Sequence, residues 1–260
     1  MSGGDRALLF GAGLPLLASA LVLASRKGAF LSDEFPRPWR RRLAFSLLFL
    51  VLVATALLPA TTAGREVDVS RLRFASLFLT QGVLAAFLLA WWLLAGRPDV
   101  ADFLSLRSKR PLAEVGAGLC LGPIGWALTF LLGVLVALLV SAAGLPAPEG
   151  VPPLVRWMAA LPLLERLLIV LAAMTVEELY FRGFLQRRLG PLPASGLFLV
   201  AHAGYGEPFF FVGLLGITAV LAVAYEKTRS TLAPMAAHGA FNAIQLFLIL
   251  PAVMRVLEAP

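Results

Sequence analysis

The chain has one cysteine and two histidines among its 260 residues. That excludes a disulfide framework, a Cys-rich zinc site and a His-rich metal tract. Charge is scarce as well: 14% of the residues are Asp, Glu, Lys or Arg, where ordinary soluble domains hold about 25%. What the sequence has in excess is apolar surface, with 60% hydrophobic residues and a mean hydropathy of +0.87. A water-soluble globule cannot hide that much, so the sequence reads as an all-α, polytopic membrane helix bundle. The net charge of +7 and pI near 10.5 fit basic loops that orient a membrane protein, and no nucleic-acid partner is expected.

A spanning helix needs about 20 mostly apolar residues. Eight runs meet or approach this: Ala7–Ser25, Leu43–Ala60, Phe74–Gly96, a run inside Val115–Pro148, Leu163–Leu189, Pro193–Gly206, Pro208–Tyr225 and Thr231–Val253. The first is read as a retained helix, because Asp5 cancels Arg6 and more spans follow. The fifth is interrupted by adjacent glutamates and the sixth is short, so both are expected to pack inside the bundle, away from lipid. Pro146, Gly144 and Pro153 punctuate a loop after the fourth, followed by an interfacial turn at Arg156 and Trp157. Residues 1–150 are read as about four helices without a motif, and 151–260 as a second helix bundle that carries the motifs described below.

Fifteen of the 22 Lys and Arg, Arg182 included, fall after the first, third, fifth and seventh helices. The positive-inside rule puts those loops in the cytoplasm. The abundant Ala, Leu, Arg and Gly point to a high-GC bacterial genome, and hence to the cytoplasmic (inner) membrane with multiple passes.

An ionisable group inside a span is costly and marks a functional candidate. Three clusters qualify. Glu177-Glu178-Leu179-Tyr180-Phe181-Arg182 lies in the fifth span, with Glu178 and Arg182 four residues apart, so that they meet on one helical face. Glu177 has no local partner. A carboxylate withdrawn from water binds a proton more firmly, as a general base near neutral pH requires. Phe198 and His202 share a face of the sixth span, and His238 and Asn242 a face of the eighth. At 1.5 Å per residue, Glu177 lies about 15 Å from the basic end near Arg187, His202 about 13 Å beyond Pro193 and His238 about 10 Å beyond Thr231. These depths predict one pocket, open to the cytoplasm.

EExxxR, FxxxH and HxxxN in this order resemble the CPBP family of intramembrane glutamic endopeptidases, which includes CAAX prenyl proteases and bacteriocin-processing (Abi) proteins. The resemblance covers about Ala172 to Leu250. It implies that Glu177 activates a water shared with His202, that His238 and Asn242 stabilise the oxyanion, and that Glu178, Arg182 and Phe198 support the site. It also implies a membrane-anchored or lipidated protein or peptide as substrate, cleaved near the cytoplasmic face, and no cofactor.

Two other chemistries use the same residues. Glu177, His202 and His238 offer one oxygen and two nitrogens to a catalytic zinc with an open water position, although HExxH is absent. Buried Glu and His can also relay protons in a transporter, yet here they cluster at one depth, and no paired broken helices mark two halves. A non-catalytic immunity or partner-binding protein is a third reading. Cys120 has no neighbouring His and is read as packing, and Gly213 and Gly216 as points of close helix contact.

Overall fold

The computed structural model describes residues 34–62, 69, 72–144, 153–202 and 208–257. The first predicted span, Ala7–Ser25, lies outside the described residues. Among the described residues there is no strand, in agreement with the all-α expectation. Helix α1 runs Pro38–Thr62 and α2 covers Leu79–Leu94, entered through a 3₁₀ turn at Phe74–Phe78. A short α3, Val100–Phe103, precedes the long α4, Pro111–Ala142. Helix α5, Pro153–Ala160, is followed by α6, which begins at Leu163 and ends at Leu189. Helix α7 is Pro191–Ala201 and α8 Pro208–Thr228. The last helix, α9, comprises Leu232–Ala243, a π-helical stretch Ile244–Ile249, and Leu250–Leu257.

Three of these are long and apolar enough to cross a membrane: Phe74–Leu94, Pro111–Ala142 and Leu232–Val256. A fourth span arises if α5 and α6, bent by 119°, are counted together. The interfacial turn expected at Arg156 and Trp157 is thus a helix of 8 residues that folds back against the bundle, burying Val155 and Met158 and exposing Arg156. The weak sixth span is the 11-residue α7, about 16 Å long, or half of a hydrocarbon core.

Helix α4 shows how the bundle handles its surfaces. Leu119, Ile124, Leu128, Leu131, Leu135 and Leu138 are exposed, and a lipid environment makes that exposure favourable. The opposite side is nearly smooth. A Cβ at Gly118 would collide with the carbonyl oxygen of Ala233 and lie 2.7 Å from the Ala236 Cβ, and one at Gly122 would lie 2.5 Å from the Ala240 Cβ. Lipid tails are as apolar as leucine, so close backbone approach between small residues supplies the helix attraction. Accordingly α4 packs most extensively against α9 and then against α8. On α8, a Cβ at Gly216 would lie 2.8 Å from the Thr129 backbone nitrogen, while the Thr129 hydroxyl donates to the Gly213 carbonyl at 2.7 Å. These are the close contacts expected of Gly213 and Gly216.

A second core joins α1, α2, α6 and α7 through Leu48, Leu52, Leu84, Trp91, Tyr180, Phe184 and Leu197. Phe184 meets Trp91 edge to face at 4.9 Å. The Trp91 indole N–H donates to Glu34 at 3.0 Å, and Arg188 pairs with the same carboxylate at 2.5 Å. Helices on both sides of residue 150 therefore share their cores.

The loop between α2 and α4 is tied down rather than loose. Asp99 caps α3 by accepting the Asp102 backbone N–H at 3.0 Å, and Arg107 reaches both carboxylates. That backbone bond, with Arg107 assisting, holds the Asp99 carboxyl below the ordinary carboxylate range. Beyond α3 the chain dips inward. The Thr231 backbone N–H donates to the Ser105 carbonyl at 2.8 Å, and the Ser105 hydroxyl bonds the Tyr225 hydroxyl at 3.0 Å.

Candidate functional site

Helix α6 loses α-helical regularity at the motif. Residues Ala173–Glu177 and Leu179–Gln186 are π-helical, a form that gathers at functional sites because its wider turn re-aims side chains. The Thr175 hydroxyl donates to the Leu171 carbonyl one turn earlier, a bond of the kind that bends helices. The two glutamates consequently serve different neighbours. Glu178, fully buried, accepts from Arg182 Nε at 3.2 Å through Oε2 and bonds His238 Nδ1 at 2.8 Å through Oε1. The Glu178–Arg182 pair anticipated from spacing is present, and its free carboxylate oxygen orients the histidine of α9.

Glu177 faces a cavity of about 160 Å³. Its Oε1 accepts from Gln81 Nε2 at 3.0 Å, while Oε2 has no hydrogen-bond partner among the described residues and lies 3.7 Å from His202 Nε2. His202 caps α7, with Nδ1 bonded to the Phe198 carbonyl at 2.8 Å and its ring 4.4 Å from the Phe198 ring. The predicted sixth span continued past this residue; α7 ends at Ala201, which places His202 at a helix terminus. His238 and Asn242 line the same cavity from α9. Glu177, Phe198, His202, His238 and Asn242 therefore share one lined space, backed by Glu178 and Arg182.

Two polar residues escaped the motif reading. Gln81 comes from α2, whose sequence carries no recognised motif, and it is the partner that Glu177 lacks locally. Its signal was available, as a lone amide in the apolar run Phe74–Gly96 must be satisfied inside the bundle. Gln245 also lines the cavity and accepts the Trp126 indole N–H at 2.9 Å. It lies in the π-helical part of α9, where helical-wheel spacing misplaces side chains.

Two expectations need correction. Arg182, counted with the basic loops, has no exposed surface and lies 5.1 Å from the centre of the Phe198 ring. Cys120 is exposed on α4, away from the site, rather than packed. Toward the basic loops, Glu178, Tyr180, Arg182, Gln186, Tyr225 and Thr231 are all 0–1% exposed, and a Cβ at Gly183 would meet the Leu104 carbonyl oxygen at 2.6 Å. Among the described residues no group of three His, Cys, Asp or Glu side chains is placed to hold a metal ion.

Ionisable side chains converging on a cavity inside apolar helices define an intramembrane site. Residues 159–244, about a third of the chain, match the family described as type II CAAX prenyl endopeptidase, Rce1-like. The match bears out the resemblance read from EExxxR, FxxxH and HxxxN, and the class it assigns is that of an intramembrane endopeptidase. No curated protein and no solved structure gives a significant match to the chain.

Proposed function

We propose that the protein hydrolyses a peptide bond of a membrane-anchored or lipidated protein or peptide, in the cytoplasmic membrane of a bacterium, by a glutamate-activated water. The observation that carries this reading is the pairing of Glu177 Oε2 with His202 Nε2 across 3.7 Å at the cavity surface. A carboxylate oxygen with no hydrogen bond among the described residues, beside an imidazole nitrogen, can hold a water between them. Glu177 takes a proton from that water as its oxygen attacks the carbonyl carbon. The tetrahedral oxyanion that forms is met by Asn242 and by Nε2 of His238, the nitrogen that Glu178 leaves available. When the C–N bond breaks, the proton held by Glu177 passes to the leaving nitrogen, giving a carboxylate and an amine. Gln81 steadies the other oxygen of Glu177, and Arg182 holds Glu178.

No step needs a cofactor or a serine or cysteine nucleophile. The relevant test compares membrane-protein termini in strains carrying the native chain, Glu177→Ala or His202→Ala. Both variants should accumulate at least one uncleaved membrane protein. Identical termini in all three strains would remove the protease reading. Retention of full activity by purified protein after exhaustive chelation is expected, and a loss restored by zinc would replace this mechanism with a metal-dependent one.

A further inference from the structure

A second cavity, of about 460 Å³, lies at the start of α1 and shares no residue with the glutamate site. It is lined by Phe35, Arg37, Pro38, Arg41, Arg42 and Phe45. Its aromatic walls are anchored, because the Phe35 and Phe45 rings pack on Trp91 with centres 5.3 and 6.1 Å away. Its arginines are a different matter. Arg107, Arg188 and Arg229 each pair with a carboxylate, whereas among the described residues Arg37, Arg41 and Arg42 have none. Glu34 stands beside them in sequence, but its carboxylate is taken by the Trp91 indole N–H and by Arg188. The helix end offers no relief either. Where α3 and α4 carry Asp102 and Glu114 in their first turns, α1 carries no acidic residue, so the positive end of its dipole adds to the arginine charge.

We propose that this recess binds the phosphate group of an anionic membrane lipid. Three guanidinium groups on one concave surface supply forked N–H donors that match phosphate oxygens, and the volume leaves room for a phosphodiester and the groups it joins. A lipid fits better than a soluble anion because of what surrounds the recess. Trp39 beside it is exposed, as aromatic residues at the headgroup level are. Arg42, Phe45 and Phe49 follow at i, i+3 and i+7, so one helical face leads from the recess to the exposed Phe49 ring in the apolar run Leu43–Ala60. A headgroup held by the arginines would lay its acyl chains along that face. Orientation by the positive-inside rule needs only the number of basic residues, and it gives no reason for them to line a recess with aromatic walls. The site does not depend on the proposed hydrolysis.

Thermal unfolding of the purified full-length protein in dodecyl maltoside tests the proposal, with phosphatidylglycerol, phosphatidylcholine or inorganic phosphate titrated at fixed ionic strength. Phosphatidylglycerol should raise the unfolding midpoint and saturate. Phosphatidylcholine, whose choline the arginines repel, should act about tenfold more weakly or less, and inorganic phosphate should leave the midpoint unchanged. Arg41→Gln/Arg42→Gln should weaken the phosphatidylglycerol response by about tenfold or more, since each basic residue near an anionic surface contributes about fivefold. Lys109→Gln/Arg110→Gln removes the same charge from the loop before α4 and should change nothing. Arg37→Gln and Arg42→Gln, each alone, give the reading at about fivefold if the paired variant does not fold. An unchanged response in the arginine variants would overturn the proposal, and so would an equal loss in Lys109→Gln/Arg110→Gln, which would reduce the effect to diffuse attraction. A saturable rise with inorganic phosphate as large as that with lipid would also overturn it, assigning the recess to a soluble anion.

Discussion

Two adjacent glutamates do different work because their carboxylates face different partners. Glu177 has one oxygen held by Gln81 and the other directed at His202, whereas Glu178 is consumed by His238 and Arg182. Glu177→Gln keeps the shape and removes the proposed base, so activity should fall by about 10²- to 10⁴-fold with the thermal unfolding of the detergent-solubilised protein unchanged. If Asn242 serves as the proposed oxyanion donor, Asn242→Ala should lower kcat by about 10²- to 10³-fold. Arg182→Ala belongs to another category. It strands a buried carboxylate, which costs about 3–5 kcal/mol, and should show as a lower unfolding midpoint before any effect on turnover can be read. Gln81→Leu should depress kcat, because Gln81 holds one oxygen of the proposed base.

At the scale of elements, the long α4 is the clearest case of a helix whose two faces obey different rules. Its leucines meet lipid, while Gly118 and Gly122 let α9 approach until backbone and Cβ atoms touch. Gly122→Leu should force α9 outward, carrying His238 and Asn242 with it. Overpacking of this kind costs about 1–3 kcal/mol, and a lowered unfolding midpoint together with lost activity would report it, whereas Gly133→Leu, at a position with open space around it, should leave both intact. The Gly118–Gly122 spacing was visible in the amino-acid string, but only contact with α9 gives it meaning. The π-helical stretches of α6 and α9 were not visible, because i, i+4 reasoning assumes the regular turn that they abandon. The Glu178–Arg182 pair survives this change, since a four-residue separation still brings the two side chains together.

For the molecule as a whole, the composition alone determined that the chain is an α-helical membrane protein. Apolar surface in such excess has no stable home in water, and helices satisfy their own backbone hydrogen bonds in lipid. The scarcity of polar residues determined which side chains deserved notice, and the three short motifs placed Glu177, His202, His238 and Asn242 at comparable depths. Only the tertiary structure decided which of them meet. Glu177 pairs across space with residues of α2 and α7, and His238 with Glu178 rather than with Asn242 on its own helix, because side-chain partnerships in a bundle depend on helix rotation and tilt, which hydropathy does not encode.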